Sequence, residues 1–503
     1  MNPTSSSVQK KAIIIGSGVA GLASAIRLAV QGFKVNVFER NSYPGGKLSA
    51  FEQDGYHFDA GPSLFTQPQN LEELFQLAGE PIANYFHYKQ VPVSCTYFFY
   101  DGKVLNASSD STTLAQTMQE KLGEDPDDIL GYLSASQKLY TNIGNVFLNH
   151  SLHKRKTFFR KEILKALFAV RPRHLFGTLH TFNKSRLKTP EAVQIFDRYA
   201  TYNGSNPYKA PGMLSLIPHL EMNEGTFYPR GGMINITNAL YNLAKKLGVQ
   251  FHFDTPIQRI ICNGNRAAGV VTNSTNYFAD VVISNVDIYF TYKHLLHMEI
   301  AAKKVLKQER SSSALIFYWG IKKQFPQLGL HNIFFSKDYS QEFNHIFKKQ
   351  TVFNDPTIYI NITSKMEADL APTGKENWFV MVNVPANNGQ DWKAVQQQAR
   401  ENIIKKLSHL LQTDIGALIE TEAVMDPVSI EHKTASYMGS LYGTSSNSKL
   451  AAFFRHPNFS RTYKGLYFVG GSVHPGGGIP LCMKSAKIMA ELVIQDYRST
   501  HKH

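Results

Sequence analysis

Residues 11–21 read KAIIIGSGVAG, an apolar strand that runs directly into the glycine pattern G-x-G-x-x-G. In this pattern Gly16 allows a tight turn, and Gly18 lets the backbone approach a pyrophosphate. Gly21 lets the next helix pack closely on the strand, so that the amino terminus of the helix can hold the anion. The segment therefore predicts a dinucleotide-binding loop.

The elements that follow the loop support this interpretation, because the glycine pattern alone is weak evidence. A helix is predicted over 22–30, and a second apolar strand, KVNVF, over 34–38. Glu39 ends that strand, where an acidic side chain binds a pair of ribose hydroxyls. The loop residues expected to contact the dinucleotide are Gly16, Ser17, Gly18, Val19, Ala20 and Gly21.

A second glycine-rich region lies just downstream, where Arg40 is followed by PGGK at 44–47 and by GYHFDAGPS at 55–63. This run resembles the amine-oxidase and carotenoid-desaturase class of FAD proteins. The resemblance implies that the double glycine extends the phosphate cradle, that Lys47 approaches the pyrophosphate, and that 61–64 lie along the isoalloxazine ring. The alternative for Lys47 is a solvated surface lysine. The FAD contacts added here are Arg40, Gly46, Lys47, Gly61, Pro62, Ser63 and Leu64.

The other half of the predicted site lies near the end of the chain. Residues 465–480 read GLYFVGGSVHPGGGIP, a strand that breaks into a glycine-rich turn before a predicted helix over 483–494. Backbone N–H groups at a helix amino terminus can stabilise negative charge on a reduced flavin. This segment is very similar to that of the phytoene-desaturase-type carotenoid desaturases, the family that the chain resembles most. The FAD contacts added here are Gly471, Gly478, Ile479 and Pro480.

The resemblance to this family covers nearly the full length of the chain. Residues 227–233, 240–247 and 279–285 follow the order of the family. By analogy, the backbone of Ile257 faces the adenine end of FAD, and Asn285 lies at a strand end near the cofactor. The sequence is equally compatible with two structural alternatives, in which Ile257 is a core residue and Asn285 belongs to a turn.

The length and this segment order predict the architecture. At 503 residues the chain exceeds the size of one hydrophobic core, so two or three domains are expected. We predict an α/β protein with a Rossmann-like FAD-binding domain built from discontinuous segments, a β-sheet substrate domain and a helical, membrane-facing region. The predicted limits are 8–86, 229–290 and 426–503 for the FAD-binding domain, 87–110, 201–228 and 291–425 for the substrate domain, and 111–200 for the helical region.

The cysteines and histidines give no sign of a metal site. Cys95, Cys262 and Cys482 are far apart and lack metal-ligand or CxxC spacing, and the 18 histidines form no convincing ligand cluster. This usage fits a reducing cytoplasm. Cys482 follows the glycine turn, whereas the covalent amine oxidases place their cysteine before such a turn. We therefore expect no metal and a non-covalently bound FAD.

Positive charge is concentrated in one segment of a chain whose net charge is +14. Between His153 and Lys188, eleven lysines and arginines stand against one acid, Glu162, among large apolar residues. This composition is typical of a basic amphipathic element on anionic lipid, and a solvated basic helix is the alternative. No nucleic-acid-binding pattern accompanies it. Because no signal peptide or membrane span is found, we predict a cytoplasmic protein attached peripherally to the inner face of the cell membrane.

No motif for another chemistry is present, neither a G-x-S-x-G elbow nor HExxH nor a Walker loop. The resemblance implies a membrane-dissolved carotenoid, from which a hydride and a proton are removed to create a C=C bond. The sequences of 470–480 and 331–336 are most similar to those of the subgroup that desaturates the 3,4 position of 1-hydroxylated acyclic carotenoid ends. The alternatives are phytoene desaturation, a flavin amine oxidase and a non-enzymatic lipid escort of the same fold. Oxygen or a quinone is the expected electron acceptor.

Candidate catalytic residues come from 197–204 and 216–219, which resemble the family's substrate-proximal segment. Arg198 is expected to orient a carboxylate such as Asp197, to line the substrate tunnel or to pin two domains together. His219 is the second candidate for a role beside the cavity. It follows an apolar run and a proline, which predicts a strand end and favours the alternative, a hydrogen-bonded core histidine. The candidates for binding a substrate hydroxyl are Tyr202, Asn203 and His219.

Overall fold

A computed structural model of the protein describes residues 9–154, 174, 176–448 and 455–500. It is a mixed α/β structure. The strands are β1 Lys11–Ile15, β2 Lys34–Phe38, β3 Ala50–Gln53, β4 Tyr56–Asp59, β5 Tyr88–Gln90, β6 Val93–Phe98, β7 Val104–Ser108, β8 Phe227–Pro229, β9 Gln250–His252, β10 Arg259–Asn263, β11 Arg266–Val271, β12 Asn276–Phe278, β13 Val281–Ser284, β14 Ser313–Ile321, β15 His331–Phe334, β16 Ile358–Ile362, β17 Glu376–Val384, β18 Ile419–Met425 and β19 Leu466–Phe468. The α-helices in the described residues are α1 Val19–Val30, α2 Gln69–Ala78, α3 Ser111–Leu122, α4 Pro126–Leu139, α5 Asn145–Asn149, α6 Leu179–Lys184, α7 Pro190–Asp197, α8 Ile234–Lys246, α9 Ile288–Phe290, α10 Glu299–Val305, α11 Tyr339–Asn344, α12 Trp392–Leu410, α13 Pro427–Thr434 and α14 Ile479–Thr500.

A five-stranded parallel sheet, in the order β19-β13-β1-β2-β9, joins strands from distant parts of the chain. Its central strand β1 is apolar and buried on both faces, as parallel strands covered by helices are. Helices α1, α8 and α14 contribute to the core on one face. Because the strands are parallel, their carboxyl ends share one edge, where ligands bind in such sheets. The residues that directly follow β1, β2, β13 and β19 are Gly16, Glu39, Asn285 and Val469.

This sheet is consistent with the Rossmann-like part of the prediction. The predicted strand over 34–38 is confirmed, and the predicted helix over 22–30 begins three residues earlier, at Val19. The predicted helix over 483–494 is confirmed within the longer α14. The domain limits stay a prediction.

A seven-stranded mixed sheet forms the second layer, in the order β18-β14-β17-β16-β15-β6-β7. The long strands β14 and β17 pair antiparallel along their full length, and only β15 and β6 pair parallel. Alternate residues of β14 face opposite sides. Leu315, Phe317 and Trp319 pack with α12 in one core, whereas Ala314 and Ile316 line a cavity on the other side.

Helices α3, α4, α6 and α7 form a third core with β6, β7 and β15. Leu114, Met118, Ile129 and Leu133 lie at helical spacing on α3 and α4, and these side chains are all buried in that core. In the part of the chain that the structure describes, no helix is long and apolar enough to cross a membrane.

Most of the predicted basic amphipathic element, residues 155–173 and 175, lies outside the described residues. Its two described ends contact acidic side chains of the protein. Lys154 Nζ lies 3.6 Å from a carboxylate oxygen of Asp496, and Lys188 Nζ lies 2.8 Å from one of Asp128. These two lysines are therefore engaged with the protein itself.

Candidate active site

A cavity of about 790 Å³ lies between the carboxyl edge of the parallel sheet and the inner face of the seven-stranded sheet. This volume is within the usual range for cofactor and small-molecule sites. Of the sequence-predicted FAD contacts, those that line it are Gly16, Gly18, Val19, Ala20, Glu39, Arg40, Gly46, Lys47, Gly61, Pro62, Ser63, Leu64, Ile257, Asn285, Gly471, Gly478, Ile479 and Pro480. Ser17 and Gly21 belong to the same loop but not to the lining.

The glycine loop between β1 and α1 forms one end of this cavity. Gly16 has φ +92°, a left-handed conformation that favours glycine. A Cβ added to Gly21 would lie 2.1 Å from the backbone oxygen of Gly16, so no larger residue fits between helix and loop. The first turn of α1 therefore sits directly behind the loop, and its residues Val19 and Ala20 line the cavity, where a helix amino terminus favours an anion.

Glu39 is fixed against this loop. Its Oε2 accepts hydrogen bonds from the backbone N–H and the hydroxyl of Ser17, both at 2.8 Å, and its Oε1 accepts one from the backbone N–H of Asn41 at 3.0 Å. A carboxylate has about four acceptor sites, so one lone pair remains for a ribose hydroxyl. Ser17 thus acts by holding Glu39 in position.

Asn285 lies beneath the glycine loop between β1 and α1 and contacts it directly. With its amide oxygen facing the loop, it accepts hydrogen bonds from the N–H groups of Gly18, at 3.2 Å, and Gly21, at 3.3 Å. The residue directly follows β13 and also lines the cavity. Asn285 therefore connects β13 to the glycine loop.

Lys47 is not a solvated surface lysine. It lines the cavity, and its Nζ donates a hydrogen bond to the carbonyl oxygen of Leu441 at 2.8 Å. Burial lowers the pKa of Lys47 to about 8, although Asp287 acts in the opposite direction. An anionic ligand beside it favours the charged ammonium, as the predicted pyrophosphate contact requires.

The glycine-rich turn after β19 closes the cavity on the other side. Gly478 has φ +102°, and a Cβ added there would meet no atom of the described residues within 4 Å. Helix α14 begins at the next residue, Ile479, so the helix amino terminus faces this open space. Cys482 is a free thiol, and burial raises its pKa to about 11.

These features together fit FAD. The bare backbone at Gly478, the half-buried ammonium of Lys47 and the amino terminus of α1 offer three separate groups that favour negative charge. Glu39, at the end of β2, offers the opposite charge where a ribose is expected. These groups together therefore match a molecule with a pyrophosphate, a ribose and a ring that accepts electrons.

The other part of the cavity is largely apolar. Strands β14 and β17 supply Ala314, Ile316, Phe379 and Met381, and Met425 at the end of β18 adds a further apolar side chain. Strands β14 and β17 are paired on both sides, and β18 is the edge strand that pairs with β14. These side chains form an apolar wall that adjoins the cofactor end of the cavity, and such a wall suits a hydrocarbon ligand.

Arg198 lies in the wall, but its carboxylate partner is not the one suggested by the sequence. One of its terminal nitrogens donates to Glu221 Oε1 at 2.9 Å and Oε2 at 3.1 Å, and to the Tyr97 hydroxyl at 2.7 Å. Asp197 instead pairs with His180 at 2.6 Å. The suggestion that Arg198 orients Asp197 is therefore wrong, because adjacent residues on this turn point to different neighbours.

One predicted candidate for binding a substrate hydroxyl belongs to the polar cluster that Arg198 forms with Glu221 and Tyr97. The hydroxyl of Tyr202 donates a short hydrogen bond to Glu221, so this group is already engaged. Both residues line the cavity, whereas Asn203 does not. Glu221, which sequence reasoning missed, is the acidic centre of the cluster.

His219 does not reach the cavity. It begins a π-helical turn, His219–Asn223, so the predicted strand end is wrong: Pro218 is helical and precedes this turn, a position where proline is tolerated. Its Nδ1 lies 3.0 Å from the Asn223 amide nitrogen, and its Nε2 lies 3.4 Å from a carboxylate oxygen of Glu224. The geometry matches the hydrogen-bonded core histidine and gives no support to a catalytic role.

Comparison with known proteins gives consistent matches over nearly the full chain. Residues 19–494 match the family model described as flavin containing amine oxidoreductase. A 1-hydroxycarotenoid 3,4-desaturase of Flavobacterium sp. (strain P99-3) is 49% identical, covering 96% of this chain and 99% of its own. A phytoene desaturase of Fusarium fujikuroi is 32% identical, covering 98% of this chain and 90% of its own. An oxidoreductase structure from Methanosarcina mazei has a TM-score of 0.63 at 16% identity, covering 96% of this chain and 100% of its own, which shows a shared fold.

Proposed function

From the premise that this chain belongs to the family of flavin-containing amine oxidoreductases, we propose that it is an FAD-dependent carotenoid desaturase. The observation that carries this function is the 49% identity, over 96% of the chain, to a 1-hydroxycarotenoid 3,4-desaturase. The 32% identity to a phytoene desaturase supports the same substrate class and confirms the resemblance predicted from the motifs. The favoured reaction is 3,4-desaturation of a 1-hydroxylated acyclic carotenoid end.

The chain's own residues supply the binding site for FAD. The glycine loop and the amino terminus of α1 would hold the pyrophosphate together with Lys47, and Glu39 would hold the ribose. Residues 61–64 and the turn at Gly478 would flank the isoalloxazine ring. When bound, FAD supplies the two-electron acceptor for the hydride that leaves the substrate.

The remaining work of the protein is to orient the substrate and to exclude water. The apolar wall on β14 and β17 buries the polyene, which is favourable for each apolar surface removed from water. Because these strands are paired on both sides, the wall is rigid and keeps the reacting bond in one register. Arg198 and Glu221 form an ion pair that also lines the cavity.

A carotenoid dissolved in a bilayer must reach the cavity without crossing water, so we also propose a peripheral membrane position. The high density of basic and apolar residues in 155–173 supports contact with anionic lipid on the inner face of the cell membrane. In this proposal the helical, membrane-facing region lies within 111–200, and the electron acceptor is oxygen or a membrane quinone.

The pigment made in living cells tests the reaction. In a host that accumulates a 1-hydroxylated acyclic carotenoid, expression of the chain is expected to lengthen the conjugated system by one double bond. The product is expected to absorb at longer wavelength and to be two mass units lighter, as measured by chromatography with mass detection. An unchanged pigment profile from a host with flavin-loaded protein would contradict the proposal.

Liposome sedimentation tests the membrane position. Replacing Arg155, Lys156, Arg160 and Lys161 with glutamine is expected to weaken binding to anionic vesicles, because each basic side chain near the surface contributes about 1 kcal/mol. Raised salt is expected to have the same effect. The matched control removes four exposed charges elsewhere, Lys303, Lys304, Lys348 and Lys349. Equal losses in both variants would show that only net charge matters.

A further inference from the structure

His331 is a buried polar residue in the wall of the cavity, at the start of β15. Only 3% of its surface is exposed. Its Nδ1 lies 2.7 Å from the hydroxyl of Tyr359 and 3.1 Å from the amide nitrogen of Asn361. His331 is therefore a second polar feature of the cavity lining, beside the cluster of Arg198 and Glu221.

The hydrogen-bond network assigns the tautomer of His331. The Asn361 amide nitrogen also donates to the carbonyl oxygen of Leu330 at 3.1 Å, which fixes the orientation of the amide. That nitrogen can only donate, so His331 Nδ1 is an acceptor. Burial, with a smaller effect of Arg198, lowers the pKa of His331 to about 3, so the ring is neutral. The single ring proton is therefore on Nε2.

This Nε2–H group has no hydrogen-bond partner among the residues that the structure describes. A buried donor without a partner is costly, and such groups in native proteins have an explanation, a bound ligand among them. The hydroxyl of Ser94, in the same cavity lining, is likewise buried without a partner. Two residues that line the cavity thus each keep a polar group without a partner in the described part of the chain.

We propose that His331 Nε2–H donates a hydrogen bond to the hydroxyl oxygen of a 1-hydroxylated carotenoid and thereby selects hydroxylated over hydrocarbon ends. This inference rests on the proposed function, and it identifies the residue that gives the desaturase its preference for hydroxylated ends. His331 acts here as a specificity-determining residue and takes no part in breaking bonds.

The position of His331 relative to the expected flavin supports this role. The Tyr359 hydroxyl oxygen lies 2.7 Å from His331 Nδ1 and 2.8 Å from the Ser63 hydroxyl oxygen, so one phenol oxygen links Ser63 to His331. Ser63 belongs to the segment expected along the isoalloxazine ring. In a 3,4-desaturation the C1 hydroxyl must lie close to that ring, because only two C–C bonds of about 1.5 Å separate C1 from C3.

The test compares two substrates that differ only in the C1 hydroxyl. For the purified, FAD-loaded protein, kcat/KM is measured with the 1-hydroxylated carotenoid and with its hydrocarbon counterpart. His331→Phe is expected to lower the ratio of the two values by about 10- to 100-fold, the range for one lost hydrogen bond to a buried group. Phenylalanine keeps the ring volume, and Asn361 and Tyr359 keep their bonds to Leu330 and Ser63.

Two further variants separate selection from structural damage. His331→Gln retains an N–H donor and is expected to recover part of the substrate ratio. Tyr359→Phe leaves Asn361 bonded to Nδ1, so the proton stays on Nε2 and the ratio is expected to persist. If His331→Phe lowers both kcat/KM values equally, the inference is overturned while the proposed function stands. If the parent desaturates neither carotenoid, the proposed function fails and this inference fails with it.

Discussion

Gly21→Ala is expected to empty the FAD site. The added Cβ would lie 2.1 Å from the backbone oxygen of Gly16, and backbone on both sides prevents a small adjustment. Relief of this clash must push α1 away from the loop and break the N–H contacts to Asn285. We expect the variant to lose about 1–3 kcal/mol of unfolding free energy. A displacement of the helix amino terminus is expected to lower flavin affinity at least about tenfold.

The matched control is Gly131→Ala, because Gly131 also lies inside a helix, α4, and an added Cβ there meets no described atom within 4 Å. This variant is expected to keep the parental flavin content and to gain about 0.5–1 kcal/mol of stability, as glycine is unfavourable in helix interiors. Flavin absorbance per protein and thermal unfolding measure both effects. Parental flavin content in Gly21→Ala would contradict the assignment of this loop.

Arg198→Met is expected to destabilise the substrate wall. The change leaves the carboxylate of Glu221, whose side chain is 2% exposed, without its guanidinium partner. Removing one member of a buried ion pair typically costs about 3–5 kcal/mol, because an uncompensated charge stays inside the protein. Carotenoid turnover is expected to fall with it, since both residues line the cavity. Chemical denaturation measures the loss.

Two comparison variants make this result interpretable. Arg198→Met combined with Glu221→Gln removes the unpaired charge and is expected to recover about half or more of the lost stability. Arg400→Met breaks the more exposed pair with Glu422, at 2.8 Å, and is expected to cost at most about 1 kcal/mol. If the double variant is as unstable as Arg198→Met alone, buried charge is not the cause.

The FAD-binding part was predictable from the sequence because its signals are local. The strand, the glycine loop, the helix and Glu39 follow one another within residues 11–39. The loop geometry depends on backbone freedom and close approach, which glycine spacing reports directly. The second glycine turn, before α14, is equally local. The resemblance implied only that the distant segments share one domain, and the pairing of β1 with β13, and of β13 with β19, was not predicted because it joins strands far apart in the sequence.

The substrate wall was harder to predict because its polar groups meet across long sequence separations. Glu221 lies against Arg198 through the turn that follows α7, and His331 meets Tyr359 through the register of β15 with β16. A buried acid or histidine has no distinctive pattern in the sequence. The strand end predicted at His219 was wrong for a related reason, because an apolar run before a proline fits a strand end and a helical turn equally well.

The central claim is that this chain couples FAD to the oxidation of a carotenoid. The most direct measurement mixes the flavin-loaded protein, without oxygen, with liposomes that contain a 1-hydroxylated acyclic carotenoid, and follows both absorption spectra. The flavin band is expected to bleach as the carotenoid band moves to longer wavelength, with one new double bond for each flavin reduced. Bleaching by an amine but not by the carotenoid would contradict it.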